Sequence, residues 1–164
     1  VTVMHQLRTI GVYGFDASSF LASLNRSGVS MLLDVRQRRG VRGTEYAWAN
    51  SQRLQVSLAA AGIAYRHHRE LAPTTELRQL QYAEDARQGV GKRARRELAA
   101  SYVGRYTAEI LDHADLESIM SVLPSTGAAA VFCVERDPAA CHRSLIAQRL
   151  AEQHGVTVRH LRPR

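Results

Sequence analysis

The chain has 164 residues, 45% of them apolar and 23% charged, proportions close to globular averages that exclude a disordered or fibrous chain. A chain of this length buries roughly two-thirds of the surface it exposes when unfolded, so its 2 cysteines need not form a disulfide for it to fold. The net charge of +7, carried by arginine with Lys92 as the single lysine, favours phosphate-bearing partners and argues against an acidic or membrane-embedded class.

The expectation is a single domain over residues 1–164, cytoplasmic and without a membrane partner. No apolar run approaches the roughly 18 residues of a span, and "VTVMHQLRT" lacks the apolar stretch of a secretory leader. No cofactor is implied, and oligomeric state has no signal in the sequence.

Five short apolar runs read as strands: Arg8–Gly14, Ser30–Val35, Ile63–His68, Ala129–Val134 and Val156–Leu161. Helical patterns separate them. Asp16 or Ser18 caps a helix carrying Phe20, Leu21 and Leu24, closed by Gly28. Asn50 or Ser51 caps a second, with Leu54, Leu58 and Ala61 inward before Gly62. Residues 75–123 hold two or three helices broken near "QGVGK" and "HADL". Asp137-Pro138 starts a final helix that runs to about His154, with Gly155 as its stop. The alternation predicts an α/β fold in three layers, a mainly parallel sheet of about five strands with helices on both faces.

In such folds the ligand sits beyond the carboxyl ends of the strands. Asp34 and Arg36, His67 and His68, and Cys133 and Glu135 occupy those ends. The stretch "FCVERDPAACHRSLIAQRL" adds Cys141, His142 and Arg143, and the stripe of His142, Ile146 and Leu150 turns His142 inward. Glu135, His142, Cys141 and Asp34 are the candidate catalytic residues. Arg36 and Arg143 are the candidate anion ligands, in a cradle with helix-start N–H groups. A structural ion pair of Arg143 with Asp34 or Glu135 explains the same residues equally well. A metal is not expected, because helix neighbours such as Cys141 and His142 point about 100° apart.

Two arginine-rich loops, "RQRRGVRG" and "GKRARRE", are solvated faces or a nucleic-acid surface formed by Arg38, Arg39, Arg42, Lys92 and Arg93. Tyr46, Trp48, Tyr65 and Tyr82 lie close to them in sequence.

The segments "TIGVYG", "LLDVRQRRGVRGTEYAWAN", "LAAAGIAYRHHRELAPTTELRQLQYAEDARQGVG", "FCVERDPAACHRSLIAQRL" and "VTVRHL" resemble the bacterial family known as domain of unknown function 488 over nearly the whole chain. The Cys-x-Glu, Cys-His-Arg and Asp-Val-Arg elements carry the likeness. The commoner family pattern has His-Ser after the opening Thr-Ile-Gly and a proline soon after Asp-Val-Arg; here those places read Val12-Tyr13 and an arginine-rich loop. The resemblance implies an α/β fold and a site at these elements, and no reaction. A fainter likeness to the rhodanese layout implies a thiol enzyme using Cys133 or Cys141, although Cys133 and Arg143 stand too far apart for that family's tight loop. Three readings therefore stay open: a crevice for a phosphate-bearing ligand, a thiol-dependent enzyme, and a noncatalytic module whose basic loops bind nucleic acid or another partner.

Overall fold

All five expected strands form: β1 (Gln6–Ile10), β2 (Val29–Asp34), β3 (Ala64–His67), β4 (Ala128–Phe132) and β5 (Thr157–His160). The computed structural model describes residues 5–164; the first four, part of the stretch read for a leader, lie outside the described residues. The strands pair in parallel in the order β3-β2-β4-β1-β5. Central β4 reads AAAVF and every residue in it is buried, as a strand covered on both faces requires. Edge strands β3 and β5 are only half-buried or exposed.

The first strand ends earlier than its apolar pattern predicts, because at Gly11 the backbone runs against the loop after β4. A Cβ at Gly11 would lie 2.0 Å from the Glu135 carbonyl oxygen. Only glycine permits that approach. The N–H groups of Val12 and Tyr13 then both donate to the Val134 carbonyl, at 2.9 and 3.1 Å, which fixes the two strand ends together.

The helices follow their caps. Asp16 caps α1 (Ala17–Arg26): its carboxylate accepts from Ser19 N at 2.7 Å, while its own N–H donates to Ser19 Oγ at 3.0 Å. Phe20 and Leu24 are buried, and Gly28 turns the chain at φ +68°. Asp16→Ala should cost about 1 kcal/mol, read as a fall of roughly 2–4 °C in Tm; an unchanged Tm would show that the box contributes nothing. Helix α2 (Ser51–Ala60) begins after Asn50, but Asn50 Oδ1 accepts from Val41 N at 2.8 Å instead of capping the helix. Leu54 and Leu58 face inward. Ala61 does not, since it lies past the last helical residue and is exposed.

Residues 75–123 hold α3 (Thr75–Arg87), α4 (Ala100–Glu109) and α5 (Leu116–Val122), with breaks near "QGVGK" and "HADL" as predicted. The cations of "GKRARRE" do not open an α-helix: Lys92–Ala94 form a 3-10 turn, and α4 starts only at Ala100. The last helix, α6 (His142–His154), also starts later than Asp137-Pro138 suggests. Pro138–Ala140 make a separate 3-10 turn, after which Cys141 is extended. Gly155 stops α6 in the left-handed conformation at φ +67°.

Leaving β1 and β2 the chain steps one way along the sheet; leaving β3 and β4 it steps the other way. Right-handed crossovers therefore place α1 and α2 on one face and α3 to α6 on the other. The crevice opens where exits diverge, beyond the carboxyl ends of β2 and β4. No helix among the described residues is long and apolar enough to cross a membrane.

Candidate functional site

The residue that ends β2 is Asp34, fully buried, and its carboxylate accepts four hydrogen bonds. Oδ1 takes Arg36 N at 3.1 Å and Arg36 Nε at 3.0 Å; Oδ2 takes Arg36 Nη2 at 2.9 Å and the Tyr65 hydroxyl at 2.6 Å. Arg36 spends its last bond on the Ala49 carbonyl, 2.9 Å away, and lies 4.6 Å over the Phe132 ring. Charge meets charge in a bidentate fork at the wall of the crevice.

Arg143, on the first turn of α6, is 0% exposed and grips backbone. Nη1 donates to the Glu135 carbonyl at 2.6 Å and Nη2 to the Arg136 carbonyl at 3.3 Å. Neither Asp34 nor the Glu135 carboxylate is its hydrogen-bond partner. The guanidinium holds the loop after β4 over Gly11, and it does not line the cavity described below.

The other side chains of this segment converge. Cys141 precedes α6 with φ −140° and ψ 143°, so it is not a helix neighbour of His142 and the expected divergence of the two side chains does not arise. Nδ1 of His142 lies 3.8 Å from Cys141 Sγ and 3.8 Å from Cys133 Sγ. Nε2 is 2.9 Å from the Val35 carbonyl. A carbonyl only accepts, so Nε2 carries a hydrogen and Nδ1 faces the sulfurs. Both cysteines are free and buried. Glu135 completes the group, with Oε2 3.8 Å from Cys133 Sγ and Oε1 3.3 Å from Arg95 Nη1.

Burial alone pushes the Cys141 thiol up. The hydrogen bond from Cys133 and the charges of Arg143 and His142 outweigh it and hold Cys141 well below the ordinary thiol range. Cys133 moves the other way, raised by burial and by its bond to Cys141. Burial also raises the Glu135 carboxyl, helped by the charge at Cys141. His142 rises even though burial opposes it, because the Cys141 charge and the Val35 carbonyl favour its protonated form.

These groups floor a cavity of about 50 Å³ between the sheet ends, α3 and the segment before α4. Among the described residues, Arg38, Arg78 and Lys92 line it with no carboxylate partner within ion-pair distance. Arg78 is oriented by neutral groups, donating to Gln37 Oε1 and to the Tyr82 hydroxyl, both at 3.0 Å. Lys92 Nζ stands 5.8 Å from the Tyr82 ring centroid. Arg95 also lines the cavity, yet Asp85 at 2.7 Å and Glu135 at 3.3 Å neutralise it.

The other basic residues are placed differently. Arg39 donates to the Tyr65 hydroxyl at 3.3 Å, and Arg42 is exposed. Arg93 pairs with Glu45 at 3.1 Å, donates to the Arg42 carbonyl at 3.0 Å, and lies about 5 Å over both Tyr13 and Tyr46. The two basic loops therefore meet through Arg93, and those two rings already hold a cation. Of the strand-end histidines, His67 Nε2 lies 2.9 Å from the Arg36 carbonyl and His68 pairs with Glu70 at 2.8 Å; neither lines the cavity.

Of the wall supplied by α3 and the segment after it, sequence reasoning named Tyr82 and passed over Arg78, Gln81 and Arg95, with Asp85 behind them. The signal was present, since positions 78, 81, 82 and 85 recur at the three- and four-residue spacing of one helix face. A polar stripe on a helix ordinarily faces water. Here Gln81, Asp85 and Arg95 are buried against each other.

A parallel α/β sheet with a polar, cysteine-containing crevice at the carboxyl ends of β2 and β4 defines the class. Residues 16–150 match the family described as "Domain of unknown function DUF488", and the chain belongs to that family. No curated protein and no solved structure matches it.

Proposed function

We propose that the cavity binds a phosphate-bearing small molecule, of which one phosphate enters and the remainder lies across the lip. The observation that carries this is the set of three cations, Arg38, Arg78 and Lys92, converging on one cavity without carboxylate partners among the described residues. Arg38 and Arg78 keep their attraction for an anion, Lys92 shares the field of Glu135 in the same cavity, and arginine offers two parallel donors to phosphate oxygens. Size points the same way. A space of about 50 Å³ in an open cleft holds only a few water positions at roughly 10–15 Å³ each, so the phosphate is the part seated deepest. Tyr82 lies beneath Lys92 and Arg78 and holds the two cations beside each other at the lip.

Inorganic phosphate, nucleoside mono-, di- and triphosphates, and short single-stranded oligonucleotides are the probes. A binding nucleotide at 100 times its Kd should add about 2.7 kcal/mol of stability, and Arg78→Met with Lys92→Met should weaken it at least about tenfold per residue, as expected for a lost charge-assisted bond. Unchanged affinity in the double variant would refute the assignment. An oligonucleotide surface behaves otherwise: its affinity falls with salt at a log–log slope of roughly −0.7 per phosphate, and Arg38→Gln, Arg39→Gln and Arg42→Gln together flatten that slope more than Arg149→Gln, Arg159→Gln and Arg162→Gln do. That outcome would replace the small-molecule reading with a nucleic-acid one.

A further inference from the structure

The floor of the cavity has a different chemistry from its rim. Cys133, Cys141 and His142 present two sulfurs and one ring nitrogen, all within 4.8 Å of one another. A tetrahedral zinc ion with Zn–S bonds of about 2.3 Å and a Zn–N bond of about 2.0 Å sets its ligand atoms roughly 3.5–3.8 Å apart. Both sulfur-to-Nδ1 separations are 3.8 Å. Two of the three ligand-to-ligand separations thus match the edges of a coordination tetrahedron, and the two sulfurs, within 4.8 Å of each other, need only a small side-chain adjustment to close the third.

The ring is held as a metal-binding imidazole is usually held. Its far nitrogen donates to a backbone carbonyl, that of Val35 at 2.9 Å, which aims Nδ1 at the sulfurs and fixes the ring plane. Charge agrees as well. Two thiolates and a divalent cation sum to zero in a place where Cys133 and Cys141 are only 5% and 1% exposed, and soft sulfur donors select zinc-like ions over magnesium or calcium. We propose that Cys133, Cys141 and His142 form a zinc site with three protein ligands. Its fourth position opens to the cavity beside Glu135, whose Oε2 lies 3.8 Å from Cys133 Sγ and whose other oxygen Arg95 holds. Three ligands and an open position are the arrangement of catalytic zinc. The sequence conceals the site, because seven residues separate the cysteines and no spaced Cys or His pair marks it.

This inference is independent of the phosphate reading, which depends on rim cations that take no part in the metal set. The test uses the reduced, chelator-treated full chain. One equivalent of cobalt(II) should produce tetrahedral visible bands and a sulfur-to-cobalt charge-transfer band, and zinc should displace it. Zinc should also slow alkylation of both cysteines by iodoacetamide. Cys141→Ser should weaken zinc binding by at least about 100-fold, the upper end of what losing an outer-shell partner costs, and Glu135→Gln should leave three-ligand binding in place, with folding of each variant checked by circular dichroism. Absence of the charge-transfer band in the unmodified chain overturns the site whether or not the variants fold. Zinc binding undiminished in Cys141→Ser places the ion elsewhere and also overturns it. Rapid alkylation that zinc does not slow overturns it too, and returns the two cysteines to the thiol-enzyme reading.

Discussion

Asp34→Ala should lower the stability of the fold by about 3–5 kcal/mol, because it strands the Arg36 guanidinium in the interior without its partner. Arg36 is 1% exposed and directs three of its donors, backbone N included, at the Asp34 carboxylate, so no water or side chain replaces what is lost. The Tyr65 hydroxyl loses its acceptor as well. In urea titration the midpoint should fall with little change of slope, and Tm should drop by roughly 6–20 °C. Adding Arg36→Met should recover much of the loss, since replacing both members of a buried pair is often close to neutral. A single-variant loss below about 1 kcal/mol would contradict the assignment of this pair as the anchor of the crevice.

Arg143→Met should be of similar size for a different reason. It removes two charge-assisted bonds to the Glu135 and Arg136 carbonyls, worth about 1.5–3 kcal/mol each, and so roughly 3–6 kcal/mol together. The loop from Glu135 to Cys141 loses its clamp, and amide exchange there should accelerate more than in the sheet. The molecules that remain folded should keep their affinity for phosphate, because the cavity does not reach Arg143. Loss of ligand binding with Tm unchanged would make Arg143 an anion ligand after all.

The parts of the fold legible in the sequence are those set by local rules. Strands such as AAAVF and caps such as Asp16 depend on residue type and spacing, which a chain displays before it folds. The place of the crevice was legible too, because an alternating α/β pattern brings the carboxyl ends of parallel strands together. What stayed hidden depends on backbone conformation at single residues and on long-range packing. Cys141 and His142 converge only because Cys141 is extended where the Asp137-Pro138 signature suggests helix. Arg143 grips carbonyls, and carbonyls have no letter in a sequence. Arg95 enters the site from a segment with no strong periodicity, drawn in by Asp85 and Glu135 from elements 10 and 40 residues away.

The single lysine has a practical consequence. Lys92 is the only side-chain amine in the chain, and it stands at the lip of the cavity. Amine-selective reagents therefore address one side chain, and a fluorophore or crosslinker attached there reports on, or traps, whatever occupies the crevice. Reductive methylation keeps the positive charge while adding bulk, whereas acetylation removes it, so the two modifications separate steric from electrostatic control of entry without any change to the gene.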